Sequence, residues 1–464
     1  MNILDINKLN FIKYDFIIIG AGPTGLVILE KLLKMNKKIL LVDNKKNLNI
    51  FEEKTDPKKL NSNRFQNYYF GGNALAWEFQ NGLFQESDFS SPFLKLFDRE
   101  KLRVSINNIG KKLDIKLKED NKYKVKPNVN FSQKNLKIEN VKTIIAKEKS
   151  WVELFKDTLV NKNLDFLHAT LTSIKCVNEK VVKIELNNCR KIEISEYSNI
   201  ILCCGTLENG KIINNILTDK KPFNTDKNIF TNGIADHPMF ETIEFYNTGS
   251  SELIKPVFHK KLFTHEKLKR KFLVRNNEKV SGLFEIRMNF ENVDKRIFLK
   301  YFIKIVNKLS LLAIKNYIFK PKVLSIWFQI VQDSENNSNS YSSISNNLKC
   351  KLNENDLSNY YFMEEAILSF MKVNGFILKS RINISNLSEL NEISMPAYHL
   401  SGSTKYLAQE NLSTVSEKFN VRGISNLYVQ GASLFPESFW VNPTFMIMAI
   451  ADYFVDNVLI PGKP

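Results

Sequence analysis

Residues 15–19 form a short apolar run, a glycine-rich turn follows, and apolar positions then recur with a helical period from about Pro23 to Met35. A second apolar run covers roughly 38–42 and is closed by Asp43. Strand, helix and strand in this order predict a βαβ unit. The strand signature returns in "NIILCCGTLENGKIINNIL" (199–217), where a turn at Gly205 leads into a helix. It returns again in "NLYVQGASLFPESFWVNPTFMIMAIADYFVDNVL" (426–459), read as strand, glycine turn, loop and helix. Residues 165–203 alternate strand-like runs with polar turns, and "FLHATLTSIKCV" and "VVKIEL" read as paired strands. Around 327–347 a strand runs into a polar turn.

The first turn carries the most specific local chemistry. Gly20, Gly22 and Gly25 give G-x-G-x-x-G between a strand and a helix. Gly20 permits the tight turn, Gly22 lets backbone approach a pyrophosphate, and Gly25 lets helix and strand touch. The helix N-terminus beyond Pro23 offers N–H groups to phosphate oxygens. Asp43, 18 residues past Gly25, is placed to accept hydrogen bonds from ribose hydroxyls. A bound dinucleotide follows, and this unit alone does not choose between NAD and FAD.

Composition narrows the class. With 464 residues and 43% hydrophobic content the chain can bury a large core and form two domains. Its net charge of +17 favours anionic partners, but no nucleic-acid motif accompanies it. The five cysteines have no C-x-x-C spacing and are odd in number, so neither a disulfide framework nor a zinc site is expected. Adjacent Cys203 and Cys204 end an apolar run and read as small buried residues. No histidine has a metal-ligand partner at sensible spacing. No stretch reaches ~18 uninterrupted apolar residues, and the N-terminal run, interrupted by Asp15, Pro23 and Glu30, reads as neither signal peptide nor membrane span. A reducing, cytoplasmic setting is expected.

Further stretches complete a pattern. "RFQNYYFGGNALAWEF" (64–79) is a loop with Gly71-Gly72 leading to Trp77. "NGIADHPMFE" (232–241) carries Asp236-His237-Pro238, and "AYHLSGST" (397–404) has His399 beside a Gly/Ser turn. With the C-terminal "NLYVQG…FP…NPT" these resemble the glucose–methanol–choline (GMC) oxidoreductases, closest to the sugar-dehydrogenase and pyranose-oxidase branch. The resemblance covers about 15–77, 165–238, 327–345 and 398–459. No second G-x-G-x-x-G, expected of NAD-linked flavin reductases, is present.

This resemblance implies FAD as cofactor and an α/β architecture, α+β overall. A Rossmann-like FAD domain would carry an antiparallel-sheet substrate domain, in the GMC/p-hydroxybenzoate-hydroxylase-like arrangement. The FAD domain is expected in three pieces, 1–95, 145–240 and 395–464, with 96–144 connecting and 241–394 binding substrate. Matched residue by residue, Gly20, Gly22, Pro23, Gly25, Asp43, Gly72, Gly431, Ala432, Pro443 and Thr444 would hold the cofactor. His399 and Asn442 would face flavin and substrate together. A neutral imidazole is suited to take a hydroxyl proton near pH 7 while hydride leaves for flavin N5. Asn442 would orient the same hydroxyl. Singly, His399 also reads as a loop histidine and Asn442 as a helix N-cap. His237, whose motif supports fold and cofactor edge in the family, is assigned no chemistry.

The chain departs from the family at four places. Asn73-Ala74 follows Gly72 where Ser or Thr is usual. Ala76 stands where pyranose oxidases have a flavin-linking His, so non-covalent FAD is expected. Lys405-Tyr406-Leu407 replaces Arg-Met-Gly. Phe439 and Trp440 replace small residues before Asn-Pro-Thr, and read either as a stacking wall for a sugar ring or as a plug. A wall suits an enzyme oxidising a sugar, polyol or related alcohol, with an unknown electron acceptor. A plug suits a catalytically silent FAD-binding scaffold. Finally, Lys300, Lys304, Lys308 and Lys315 fall on one helical stripe within 295–320. That stripe reads as the solvated face of a substrate-domain helix or, alternatively, as a peripheral membrane contact.

Overall fold

In a computed structural model, residues 2–3, 13–44, 80–81, 88–115, 136–145, 151–218, 229–248, 270–289, 323–333, 339–349 and 351–461 are described, apart from single residues and short gaps within those ranges. Gly72, the "GGNALAW" loop and the basic stripe at 295–320 lie outside the described residues.

The elements that matter, in chain order, begin with β1 (Asn2–Ile3), β2 (Phe16–Ile19), α1 (Pro23–Lys34), β3 (Ile39–Asp43) and α2 (Arg99–Lys112). They continue with β4 (Leu136–Val141), β5 (Leu164–His168), β6 (Leu171–Val177), β7 (Lys180–Leu186), β8 (Arg190–Glu193), β9 (Asn199–Leu202) and α3 (Gly205–Thr218). Then come β10 (Met239–Tyr246), β11 (Arg270–Asn276), β12 (Lys279–Asn289), β13 (Val323–Ile330), α4 (Glu354–Val373), β14 (Ile377–Arg381), β15 (Leu427–Val429) and α5 (Pro443–Phe454).

A six-stranded sheet in the order β1-β5-β3-β2-β9-β15 is parallel throughout. Its strands are continuous apolar runs because helices cover them: Phe16–Ile19 and Ile39–Val42 are buried at every position. After β2 the chain builds outward through β3 to β5, then crosses back to place β9 on the other flank of β2. The order therefore reverses at β2, and the crevice beyond its carboxyl end is where such sheets bind ligands. The Gly20–Gly25 turn stands there. The expected pairing of the 165–203 region is present as the antiparallel sheet β8-β7-β6.

The second body is an antiparallel sheet, β14-β10-β13-β12-β11-β4, backed by α4. Phe272 stacks on Phe284 at 4.9 Å, and Tyr360 of α4 meets Phe240 edge-on at 5.1 Å. Asn353 and Asp356 form a capping box that starts α4. The stretch read as a connector, 96–144, is divided between the bodies. Its α2 lies on α5, where the Tyr453 hydroxyl accepts the Asp98 N–H at 3.1 Å. Its β4 extends the antiparallel sheet beside β11.

Between the bodies sits a buried charge network. Arg275 of β11 is 1% exposed, and donates to Asp88 at 3.0 Å and to Glu139 of β4 at 3.3 Å. The other oxygen of Asp88 accepts the Trp440 indole N–H at 3.0 Å. The residues that looked like a wall or plug are thus core. Trp440 and Phe439 are each 4% exposed, and Phe439 meets Phe435 edge-on at 5.2 Å. Replacing Arg275 by Ala leaves Asp88 charged and buried, so unfolding free energy should fall by about 3–5 kcal/mol; a denaturant titration of the variant against wild type measures it.

Candidate active site

Three chain reversals meet at the carboxyl ends of β2, β9 and β15. At the first, Gly20 has φ +107°, and a Cβ there would lie 2.4 Å from the Cys203 carbonyl oxygen. A Cβ on Gly25 would lie 2.1 Å from the Gly20 carbonyl oxygen, so this glycine sets how closely α1 approaches β2. Gly22 differs: a Cβ there would meet nothing nearer than the Cys203 oxygen at 3.9 Å. It caps α1 without any side-chain cap, and Pro23 occupies the first turn. The turn therefore presents open backbone and a positive helix end, the chemistry that receives a phosphate. Asp43 Oδ2 accepts the Ala21 N–H at 2.5 Å, which ties the end of β3 to the same turn.

The second reversal follows β9. The Asn209 side chain, fully buried, accepts the Cys204 N–H at 3.0 Å and donates to the Gln430 carbonyl at 3.2 Å and the Ser433 hydroxyl at 3.1 Å. One amide thus stitches the ends of β9 and β15 together. The third reversal is at Gly431 (φ +117°), where a Cβ would stand 3.8 Å from the Thr24 hydroxyl. Beside it the "HLSGST" segment is laid along 432–434 by Gly402 N–H to Ala432 O at 3.2 Å and Thr404 N–H to Ser433 O at 2.9 Å. The buried side chains of Gln430 and Thr404 have no hydrogen-bond partner among the described residues. Buried polar atoms of this kind call for a polar ligand. A dinucleotide fits the open glycine turn and these orphaned groups.

The candidate catalytic residues sit around one carboxylate. Asp236 Oδ1 accepts the backbone N–H of His237 at 2.8 Å and that of His399 at 3.0 Å. Segments 235 and 401 pair as an antiparallel bridge, with Ala235 N–H to Ser401 O at 3.0 Å and the reverse bond at 2.9 Å. The main chain at Asp236 is held in turn by Gln332, whose Oε1 accepts its N–H at 3.0 Å. The His237 and His399 rings meet edge to face with centroids 4.6 Å apart, and His237 Nε2 is hydrogen-bonded to His399 Nδ1. His237 Nδ1 lies 3.2 Å from the Phe439 carbonyl oxygen. That carbonyl is three residues before Asn442, the N-cap of α5, which makes no side-chain cap bond. Asn442, Pro443 and Thr444 are partly exposed at this helix mouth.

Burial, the His237 ring and Lys271 together hold the His399 imidazole well below its usual range. Burial also lowers His237, against the pull of Asp236 and the Phe439 carbonyl. Both rings are therefore neutral at pH 7. His237, set aside in the sequence, stands between His399 and the α5 turn; its signal was the bare Asp-His-Pro. Asn209 and Gln332 had no signal at all. Among the described residues no group of three His, Cys, Asp or Glu side chains is arranged to hold a metal, and no helix is long and apolar enough to cross a membrane.

Comparison with known proteins agrees with this geometry. Residues 365–451 match the family described as "GMC oxidoreductase". The fold is similar to pyridoxine 4-oxidase from Mesorbium loti, at 12% identity and TM-score 0.55, over 95% of this chain and 98% of that one. It is likewise similar to formate oxidase, at 10% identity and TM-score 0.56, over 95% and 97%. A formate oxidase from Aspergillus oryzae RIB40, described for the effect of R554K on FAD modification, has 11% identity and TM-score 0.51 over 95% and 97%. No curated sequence matches the chain. The match over 365–451 and the shared fold make the chain similar to the GMC oxidoreductases.

Two outcomes are expected here. Gly22→Ala should leave the melting temperature of the FAD-free protein near wild type, while FAD affinity, measured by flavin fluorescence, falls about tenfold or more. Glu437, beside the site, is pushed up to about 7 by burial with help from Asp333 and Asp88, against Lys279. Its folded-state value is above the unfolded one, so its contribution is full below about pH 4.3 and is lost as pH rises through about 7. Glu437→Gln should therefore gain stability relative to wild type between pH 5 and pH 8, as melts at the two pH values would show.

Proposed function

We propose that the protein oxidises a CH–OH group of a sugar, polyol or related alcohol, with non-covalently bound FAD, His399 as base and Asn442 as its hydrogen-bonding partner. The observation that carries this reading is His399, whose backbone N–H is held by Asp236 and whose ring is linked through His237 to the turn that opens α5. FAD, when bound, supplies the hydride acceptor at its N5. Gly20, Gly22, Pro23, Gly25 and Asp43 would hold its phosphates and ribose, and Gly72, Gly431, Ala432, Pro443 and Thr444 would complete its binding site. Ala76, in place of a linking His, supports the non-covalent mode.

The chain's own groups do the rest. His399 takes the hydroxyl proton, which leaves an alkoxide-like oxygen from which hydride departs readily. Asn442 donates to that oxygen from the helix mouth, and the α5 N-terminus adds positive potential there. Pyridoxine 4-oxidase and formate oxidase are named for two small substrates and share this fold. The alternative, a silent FAD-binding scaffold, draws on Phe439 and Trp440, which are buried, and on Lys405-Tyr406-Leu407 in place of Arg-Met-Gly. Free thiols at Cys176, Cys203 and Cys204 support a reducing, cytoplasmic location.

The test is an anaerobic absorption spectrum of the FAD-loaded protein with a panel of sugars and alcohols. One of them should bleach the flavin band. With that substrate, His399→Ala should slow bleaching by about two to four decades, with the acid limb of the wild-type rate lying below pH 6.5. Bleaching at the wild-type rate in His399→Ala would refute the base; a band that no alcohol bleaches would favour the scaffold.

A further inference from the structure

The two histidines at the site are not equivalent, and their hydrogen bonds say which nitrogen carries each proton. A carbonyl oxygen can only accept. His237 Nδ1, 3.2 Å from the Phe439 oxygen, therefore carries hydrogen. The Gln329 amide nitrogen also faces Nδ1, but at 3.5 Å, and it donates to the Trp440 carbonyl at 3.1 Å. A neutral His237 with hydrogen on Nδ1 has a bare Nε2, which can only accept. Its partner there is His399 Nδ1, which must then be the donor. With its one hydrogen on Nδ1, His399 has a free lone pair on Nε2.

We propose that His237 is a positioning residue that fixes His399 in this tautomer, leaving Nε2 as the proton acceptor, and that His237 then takes over the proton His399 gains. The proposal rests on His399 being the base. The step balances as a proton transfer without change in electrons. The substrate hydroxyl proton goes to His399 Nε2, the Nδ1 proton of His399 moves to His237 Nε2, and His237 becomes an imidazolium whose Nδ1–H still reaches the Phe439 carbonyl. His399 returns to neutrality.

The surroundings favour the positive charge on His237 rather than His399. The Asp236 carboxylate and the Phe439 carbonyl both raise the basicity of His237. Lys271 opposes a charge on either ring, and burial does too. The Asp236 oxygen that accepts both backbone N–H groups keeps the two rings in register for the transfer. Phe439 holds its carbonyl toward His237 from a left-handed backbone (φ +47°), a conformation costly for an aromatic residue and retained where its surroundings fix it.

The tautomers can be read directly. The chain has five histidines, so ¹⁵N-histidine labelling of the FAD-loaded protein gives 5 × 2 = 10 ring signals, assigned by their loss in single variants. At pH 7.5, His237 and His399 should both show a protonated Nδ1 and a bare Nε2. A His399 protonated at Nε2 would overturn the proposal. On acidification the first added proton should appear at His237 Nε2; its appearance on His399 would overturn the transfer. His237→Gln, whose amide can both donate to Phe439 and accept from His399, should keep the His399 pattern. His237→Leu should release it, and His399 signals unchanged in that variant would contradict the positioning role. Should His237→Leu fail to fold, the wild-type tautomer still decides. These spectra need no turnover, so they separate a failure of this proposal from a failure of His399 as base, which the bleaching rate of His399→Ala reports.

Discussion

Asp236 Oδ1 accepts two backbone N–H groups from residues 162 positions apart, His237 at 2.8 Å and His399 at 3.0 Å. Everything distinctive about the site hangs on that oxygen. It brings the strand leading into the antiparallel sheet against the segment leading into β15, and it orients two imidazoles into contact. A buried carboxylate is tolerated there because hydrogen bonds to charged acceptors are the strong ones and further donors complete its shell. Its own backbone is fixed by Gln332, which donates to Asp356 at 2.9 Å in the capping box of α4. The site is thereby coupled to the packing of the substrate-side body.

The other half of the site depends on carbonyl contacts that exclude side chains. Gly25 against the Gly20 oxygen and Gly20 against the Cys203 oxygen draw β2, β9 and α1 closer than any Cβ permits. Asn209 then fixes the ends of β9 and β15 relative to each other. At this edge the parallel sheet offers turns and helix N-termini, the elements to which dinucleotides bind in such sheets. Asn442 at the start of α5 adds a second helix mouth, on a helix that packs against α1 through the Lys31–Asp452 pair at 2.8 Å.

Between the bodies, Arg275, Asp88 and Trp440 form a buried chain of one ion pair and one indole hydrogen bond. Such a chain contributes little net stability over apolar packing, but breaking it is costly. It fixes the loop that carries the Phe439 and Trp440 carbonyls, the two acceptors placed beside His237 and Gln329. Two bulky aromatics before Asn-Pro-Thr thus have a structural cause.

The sequence by itself determined the parallel sheet's central unit, the glycine turn and the helix after Asn442. These are local: a period, three glycines at fixed spacing and a proline at the first helical position are enough, because the backbone geometry they impose needs no distant partner. It also showed His399 as a candidate. The role of His237, the stitching by Asn209 and the burial of Phe439 and Trp440 were decided by tertiary structure. Each depends on a partner more than 160 residues away, and Asp-His-Pro or Phe-Trp reads the same whether its side chains face solvent, cofactor or core. The connector at 96–144 was illegible for the same reason: β4 is a strand because β11 lies beside it, and pairing across that distance leaves no period of its own in the chain.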